Sequence, residues 1–134
     1  MAEALKQIEF TVDGQKYITA QLGAVEGRRL FVDLFKAIAP ALESINIGLG
    51  DKKFQEQALI SAASDIISNL DSALIDKLCD TFGPKTRAVL GPQQEMTLDS
   101  GYFSLHFAAK YVQMFKWIYE CCKANGFLSF LPGN

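Results

Sequence analysis

The first part of the chain alternates between apolar and polar residues, as a half-buried strand does. The apolar positions of this alternation are Ile8, Phe10, Val12 and Tyr17. Asp13-Gly14 interrupts the pattern, and both residues tolerate the left-handed backbone of a two-residue turn. Residues 7–22 therefore predict a β-hairpin. Because two strands alone are marginally stable, one face of this hairpin must pack against another part of the chain.

Beyond the hairpin, the apolar residues recur at helical spacing. Helices are predicted over residues 24–39, 52–69, 72–82 and 99–125. We expect Pro40 to end or kink the first helix, Asp71 to cap the third, and Gly83-Pro84 to stop it. The chain between the third and fourth helices is polar, and residues 87–90 are compatible with a short extended segment that the pattern does not require.

The last predicted helix is the longest. At about 26 residues and ~1.5 Å per residue it would extend ~39 Å, which is more than the core of a small domain requires. Its apolar arc covers about half of the circumference, whereas a helix on one core needs a stripe of about 100°. We therefore expect this helix to be covered on two sides or to bind a partner. Trp117 falls on the polar side near the angle of His106, and it either anchors an interface or packs beneath the hairpin.

Together these elements predict a mainly α fold of about four helices, with an N-terminal β-hairpin and a long C-terminal helix. A chain of 134 residues is long enough to form one domain with its own core. We divide it into the hairpin at 7–22, a helical body at 24–125 and an apolar tail at 126–134.

The composition is that of an average globular protein, with 49% hydrophobic and 21% charged residues. The net charge is −2, and the basic clusters Lys52-Lys53, Arg28-Arg29 and Lys85-Arg87 are short and separated, which argues against nucleic-acid binding. The N-terminus lacks a secretory signal and no apolar run approaches ~20 residues, so no membrane span is expected. Three cysteines, two of them adjacent, indicate free thiols in a reducing cytoplasm.

Candidate chemistry adds little to this picture. His106 and Cys121 would lie ~22 Å apart on a continuous helix, which is too far for them to share a metal ion. Cys79 is the one thiol that folding could bring to the imidazole for nucleophilic catalysis. The sequence contains no glycine-rich phosphate loop. We therefore expect no enzyme, no metal or other cofactor, and no small-molecule substrate.

Two blocks, one near each end of the chain, carry a family pattern. The first has a tyrosine, a leucine and an amphipathic helix that reaches a proline, here Tyr17, Leu22, Phe31, Phe35 and Pro40. The second has His-Phe, a small residue, an aromatic residue, and an asparagine with an aromatic residue after it, here His106, Phe107, Ala108, Tyr111, Asn125 and Phe127. These blocks resemble the small tail assembly chaperones of long-tailed bacteriophages and prophages. The chain departs from that pattern at Ala108-Ala109, where a glycine is expected.

The resemblance implies a non-enzymatic role in building phage tails. Such chaperones bind the long, mostly helical tape measure protein and keep it soluble, and they help to recruit tail tube subunits around it. They act in the cytoplasm of the infected or lysogenic bacterial host and are absent from the finished virion. Self-association of the chaperone along the tape measure protein is a natural extension of this role.

Aromatic residues and methionine on an amphipathic helix would supply the adaptable apolar contacts that such a role needs. The residues expected to contact the partner are Phe103, His106, Phe107, Tyr111, Trp117, Phe127, Leu128, Phe130 and Leu131. Phe107 and Tyr111 fit the core of the domain better than they fit an interface. The apolar residues after the helix stop are the stronger candidates, because they would otherwise be left in water.

Two other functions remain open at this point. One is a small head–tail completion or tail-terminator protein, for which more β structure and assembly as rings would be expected. The other is a host-directed binding protein or enzyme that uses Cys79 and His106. A strand content limited to the hairpin would favour the chaperone over the head–tail completion protein.

Overall fold

We describe residues 6–45 and 70–127 of a computed structural model. The strands are β1 (Gln7–Val12), β2 (Gln15–Ala20), β3 (Thr86–Gly91) and β4 (Gln94–Thr97). The helices are α1 (Ala24–Ile45), α2 (Ser72–Phe82), α3 (Ser100–His106) and α4 (Tyr111–Ala124), with a 3-10 turn at Gly83–Lys85. The helix predicted over 52–69 lies outside the described residues.

The N-terminal hairpin is present as predicted. β1 and β2 pair in antiparallel fashion, with Phe10 opposite Tyr17. The turn between them has a positive φ at both Asp13 (49°) and Gly14 (84°), which is the arrangement of a type I′ turn. The two turn residues thus fix the register that places Tyr17 on the inner face of the sheet.

The prediction of a mainly α fold is wrong, because the described residues include a four-stranded antiparallel sheet in the order β1-β2-β3-β4. The fold is mixed α and β. Residues 87–90, which the sequence pattern allowed but did not require to be extended, are part of β3, and β3 pairs with β2 and with β4. β4 has no alternating pattern and all four of its side chains are exposed. Its pairing therefore depends on backbone hydrogen bonds to β3, which side-chain patterning does not reveal.

One face of the sheet packs inward and the other faces solvent. The cross-strand partners Phe10, Tyr17, Ala88 and Met96 form one row across the inner face. The outer face is polar and carries ion pairs between Lys16 and Glu9 and between Arg87 and Glu95. This division is typical of an antiparallel sheet with one side on a core.

Pro40 does not end the first helix. α1 continues through Pro40 to Ile45 and, at 22 residues, is longer than the C-terminal helix α4. Proline removes one backbone donor from a helix, but its fixed φ near −65° is itself helical, so the chain can continue beyond it. The start of α2 agrees with the prediction, since the Asp71 carboxylate accepts a hydrogen bond from the Ala73 amide at 2.7 Å.

The predicted long C-terminal helix is also wrong, because it is broken into α3 and α4. The helix start near residue 99 agrees with the prediction, and Asp99 caps α3, but residues 107–110 leave the helical path and Ala109 has a φ of 59°. Alanines favour helix, so local propensity opposes this break. Tertiary contacts outweigh this local preference. The break buries Phe107, whose ring centroid lies 5.3 Å from that of Trp117 and 6.4 Å from that of Tyr17.

Trp117 lies in the core of the protein. The sequence left open whether this residue anchors an interface, and in the structure its side chain is fully buried. Its ring packs edge-on against Phe82 and Phe103, with centroid distances of 6.5 and 5.7 Å. Edge-to-face packing of this kind adds about 0.5–1.5 kcal/mol per pair beyond the area buried. The core therefore joins α2, α3 and α4 through one indole.

Replacing Ala109 by glycine should stabilise the protein. A left-handed conformation costs an alanine about 1–2 kcal/mol, and glycine adopts it without that penalty. We expect Ala109→Gly to raise the free energy of unfolding by about 1 kcal/mol, measured as the midpoint of urea denaturation.

Ala108→Gly is the matched control for this substitution. Ala108 is an exposed neighbour whose φ is not positive, so glycine there adds only flexibility and should lower stability by about 0.5–1 kcal/mol. Equal losses at positions 108 and 109 would show that the helix is not broken at Ala109 in solution.

Candidate functional site

The predicted partner-binding residues occupy very different environments. His106, Phe107, Trp117 and Phe127 are buried, and Phe103 is partly buried. Tyr111 is 64% exposed. Leu128, Phe130 and Leu131 lie outside the described residues. Among the described members, Tyr111 is therefore the one already placed to meet a partner, and partner binding by the whole set stays a prediction.

A chain of buried hydrogen bonds connects the hairpin to both C-terminal helices. The Gln113 amide nitrogen donates to the Tyr17 hydroxyl at 2.8 Å, and that hydroxyl lies 2.7 Å from Nε2 of His106. Nδ1 of His106 lies 3.3 Å from the Tyr102 hydroxyl, so each ring nitrogen is within hydrogen-bond distance of a tyrosine, and the tautomer of His106 sets which partner donates in each pair. Burial raises the pKa of Tyr17 to about 12, so the phenol stays neutral.

A second polar contact ties the end of the hairpin to the end of α4. The Asn125 side-chain oxygen accepts a hydrogen bond from the Leu22 amide at 2.7 Å, and its nitrogen donates to the Cys121 carbonyl at 2.9 Å. Gly126 has a φ of 74°, and the Phe127 amide returns to the Cys122 carbonyl at 2.9 Å. This is a Schellman-type helix end, and it turns Phe127 into the core.

The residues that carried the family pattern are largely the residues that make these contacts. Tyr17 meets His106 and Phe107, Leu22 meets Asn125, and Phe127 packs against Phe31 with a centroid distance of 5.7 Å. Each contact joins the N-terminal block to the C-terminal block. The pattern therefore describes internal contacts of the fold, and a partner surface has to be sought among other side chains.

The break between α3 and α4 leaves large apolar residues exposed on both sides of a short turn, and we call residues 105–112 the α3–α4 corner. Its large members are Leu105, Tyr111 and Val112, exposed to 75%, 64% and 63%. Ala108, Ala109 and Lys110 are exposed between them. Several large exposed apolar side chains within one short segment are typical of protein–protein contact sites.

Sequence reasoning missed Leu105 and Val112 as surface residues. Val112 lay on the apolar arc of the predicted continuous helix, and Leu105 was not singled out. Once the helix breaks, the two residues come to lie on either side of the same turn. No local signal marks this break, because Ala108 and Ala109 favour helix.

The thiols and the histidine have no arrangement suited to catalysis. Burial is the main factor that raises the pKa of Cys79, to about 12, and burial also raises the pKa of Cys121 and of Cys122. These thiols are protonated at neutral pH, whereas a nucleophile must be a thiolate. Both ring nitrogens of His106 are engaged by tyrosines, so neither is available to a cysteine.

The described part of the chain contains no group of three or more His, Cys, Asp or Glu side chains placed to hold a metal ion. Over the same residues, no helix combines the length and apolar character needed to cross a membrane. What the described residues do offer is the exposed α3–α4 corner, supported from inside by the Tyr17 hydrogen bonds.

Acidification should destabilise the protein through His106. Burial, and to a lesser extent Lys110, lowers the pKa of His106, so the folded chain binds a proton less readily than the unfolded chain. The resulting stabilisation is complete above the ordinary histidine pKa of about 6.5 and is lost as the pH falls through the folded-state value. We expect the urea midpoint to fall between about pH 7.5 and about pH 5.5.

His106→Gln is the comparison that isolates this effect. The variant should be about 1–3 kcal/mol less stable at neutral pH, because the buried Tyr17 hydroxyl loses the imidazole as a hydrogen-bond partner, and it should lose less stability on acidification. Burial raises the pKa of Glu120, but that residue is present in both proteins and its contribution cancels. Identical pH profiles for the two proteins would contradict a neutral, buried His106.

Comparison with known proteins adds a family to this geometry. Residues 13–133 match the family model described as phage tail assembly chaperone protein, TAC. Comparisons with curated proteins and with solved structures gave no match. The family match runs from the turn of the hairpin to the penultimate residue, so it includes both sequence blocks and every contact between them. The chain belongs to the phage tail assembly chaperone family.

Proposed function

We propose that this chaperone binds the tape measure protein of its phage and keeps it soluble until the tail tube encloses it. In this proposal it also helps to recruit tail tube subunits, acts without catalysis in the host cytoplasm, and is absent from the finished virion. Family membership supports a role in tail assembly. The exposed α3–α4 corner supports binding to an apolar partner.

The observation that carries this proposal is the cluster of Leu105, Tyr111 and Val112, each more than 60% exposed within eight residues of chain. A long helical protein with apolar stripes aggregates unless those stripes are covered. Covering them needs exposed apolar area of adaptable shape, because many similar segments must be bound. A leucine, a valine and a tyrosine on one turn provide such area without a deep pocket.

The corner is held in place before any partner arrives. His106 precedes the break and Gln113 follows it, and both hydrogen-bond to the Tyr17 hydroxyl. Phe107, inside the break, is packed between Tyr17 and Trp117. A surface that is already ordered loses less conformational entropy on binding. In the proposal, the buried members of the predicted set therefore support the contact surface, and Tyr111 belongs to that surface.

The C-terminal tail is the second part of the proposed contact surface. Leu128, Phe130 and Leu131 follow directly after Phe127, which is buried against Phe31 and Phe82. They remain candidates because they are apolar and follow the helix end. A tape measure protein offers many similar segments, so several copies of the chaperone would bind along it, and contacts between neighbouring copies would strengthen the coat.

Co-expression with the tape measure protein of the same phage tests this proposal. Wild-type chaperone should keep the tape measure protein soluble and co-purify with it. Leu105→Ser combined with Val112→Ser should reduce the co-purified amount by roughly tenfold or more, because two exposed side chains lose about 1 kcal/mol or more of apolar contact each. A second variant, truncated directly after Phe127, tests the contribution of the C-terminal tail. The truncation leaves Phe127 in place, because removal of this buried residue would open the core.

Leu90→Ser is the matched control, because Leu90 is another exposed leucine but lies on β3. It should bind as wild type does. If the tape measure protein remains insoluble and unbound with wild-type chaperone, the proposed function is wrong. If it binds equally well to the double variant and to Leu90→Ser, the α3–α4 corner is not the binding surface.

A further inference from the structure

The outward side of α1 combines apolar and basic residues. Val25 and Val32 are two turns apart, so they lie one above the other on the helix, and they are 59% and 41% exposed. Arg28, Arg29 and Lys36 flank them within the same arc and are exposed. We call these five residues the α1 outer face. The opposite side of α1, with Leu30 and Leu34, is buried in the core.

The α1 outer face is positively charged although the whole chain has a net charge of −2. The acidic residues of this part of α1, Glu26 and Asp33, lie about 80–100° away from Val25 around the helix. Asp33 is already paired with Lys77 of α2, and this ion pair lowers the pKa of the carboxyl. The basic side chains face solvent, and Lys36 also helps to lower the pKa of Asp33, the acidic residue that borders this arc.

Four other basic residues on the described surface take part in ion pairs, Lys16 with Glu9, Lys77 with Asp33, Arg87 with Glu95, and Lys116 with Asp13. Among the described residues, no ion pair involves Arg28, Arg29 or Lys36, and the same holds for Lys6, Lys85, Lys110 and Lys123, which lie on separate parts of the fold. The α1 outer face differs from those positions because three exposed cations flank two exposed valines on one helix. The complement of such a surface is apolar along its centre and acidic along its edges.

We propose that the α1 outer face binds an acidic amphipathic helix. The apolar stripe of that helix would lie on Val25 and Val32, and its carboxylates would pair with Arg28, Arg29 and Lys36. Val25 and Lys36 are about 16 Å apart along the axis, so the face accommodates roughly three turns of a partner helix. The inference rests on the proposed function, because it takes the tape measure protein as the source of this helix.

A helix fits this surface better than a membrane or a nucleic acid does. Membrane-surface helices bury several large residues such as Trp, Phe and Leu, whereas the centre of the α1 outer face has two valines, Leu30 and Leu34 point into the core, and the exposed Phe35 lies about 60° from Val32 at the edge of the face. Nucleic acids require a face of phosphate contacts, and here apolar side chains occupy the centre. Two helices can pair through a short apolar stripe that has charged residues along its edges, and the α1 outer face has this arrangement.

Peptides that cover the helical segments of the tape measure protein provide the test, with binding measured by fluorescence anisotropy. Wild-type chaperone should bind best those peptides in which acidic residues flank an apolar stripe. Arg28→Glu combined with Arg29→Glu should weaken this binding by roughly tenfold or more at about 0.05 M salt. The difference should shrink at about 0.5 M salt, where charges are screened beyond a few ångströms.

The matched control is Lys6→Glu combined with Lys85→Glu, which changes the net charge by the same amount at two exposed lysines elsewhere. This variant should bind the acidic peptides as wild type does. Changing the acidic residues of the best peptide to lysine should weaken its binding to wild type and restore its binding to the Arg28→Glu, Arg29→Glu variant. Such a charge swap reports a direct contact, since a folding defect would not be rescued by the peptide.

The failures are distinguishable. If wild type binds none of the peptides, both the proposed function and this inference are wrong. If it binds them and the charge reversal at Arg28 and Arg29 has no more effect than the control, the inference is wrong and the proposed function stands. If wild type instead binds anionic phospholipid vesicles and the charge reversal abolishes that binding, the α1 outer face is a membrane-binding surface and the inference is overturned.

Discussion

The need to satisfy one buried hydroxyl organises this protein. Tyr17 sits on the inner face of the sheet, fully buried, and its hydroxyl would be costly to bury without partners. His106 and Gln113 supply those partners from α3 and α4. On a continuous helix these two residues would be about 10 Å apart along the axis. The break at 107–110 lets both reach the same oxygen while Phe107 stacks against the tyrosine ring.

The same break creates the apolar surface. Turning Phe107 into the core leaves its neighbours on the outside of a tight corner, where Leu105, Tyr111 and Val112 remain exposed. One short segment therefore contributes one side chain to the core and leaves the next ones exposed to solvent. Ala109 bears the cost of this arrangement in its left-handed backbone. Conformational strain of this kind persists only where surrounding contacts determine the conformation, as the Tyr17 and Trp117 packing does here.

The surfaces of the protein differ in what they leave available for binding. The outer face of the sheet is mostly polar, and its charged side chains neutralise one another in ion pairs. Each ion pair contributes at most about 1 kcal/mol to stability because it is exposed to water. The α3–α4 corner is apolar. The α1 outer face is apolar and basic, and no ion pair among the described residues involves its three cations. Under the proposed function, both kinds of surface would contribute to covering long amphipathic segments, since apolar contacts would supply affinity and charges would select the segment.

The sequence by itself determined the elements that depend on local chemistry. Asp13-Gly14 specified the hairpin, Asp71 and Asp99 specified two helix starts, and Gly126 specified the end of α4, because each acts through its own backbone or the next turn. Only the tertiary structure decided the rest. β4 forms by backbone pairing with β3, and α3 separates from α4 because Tyr17 and Trp117 hold Phe107. These are contacts between residues distant in sequence, and no local pattern records them.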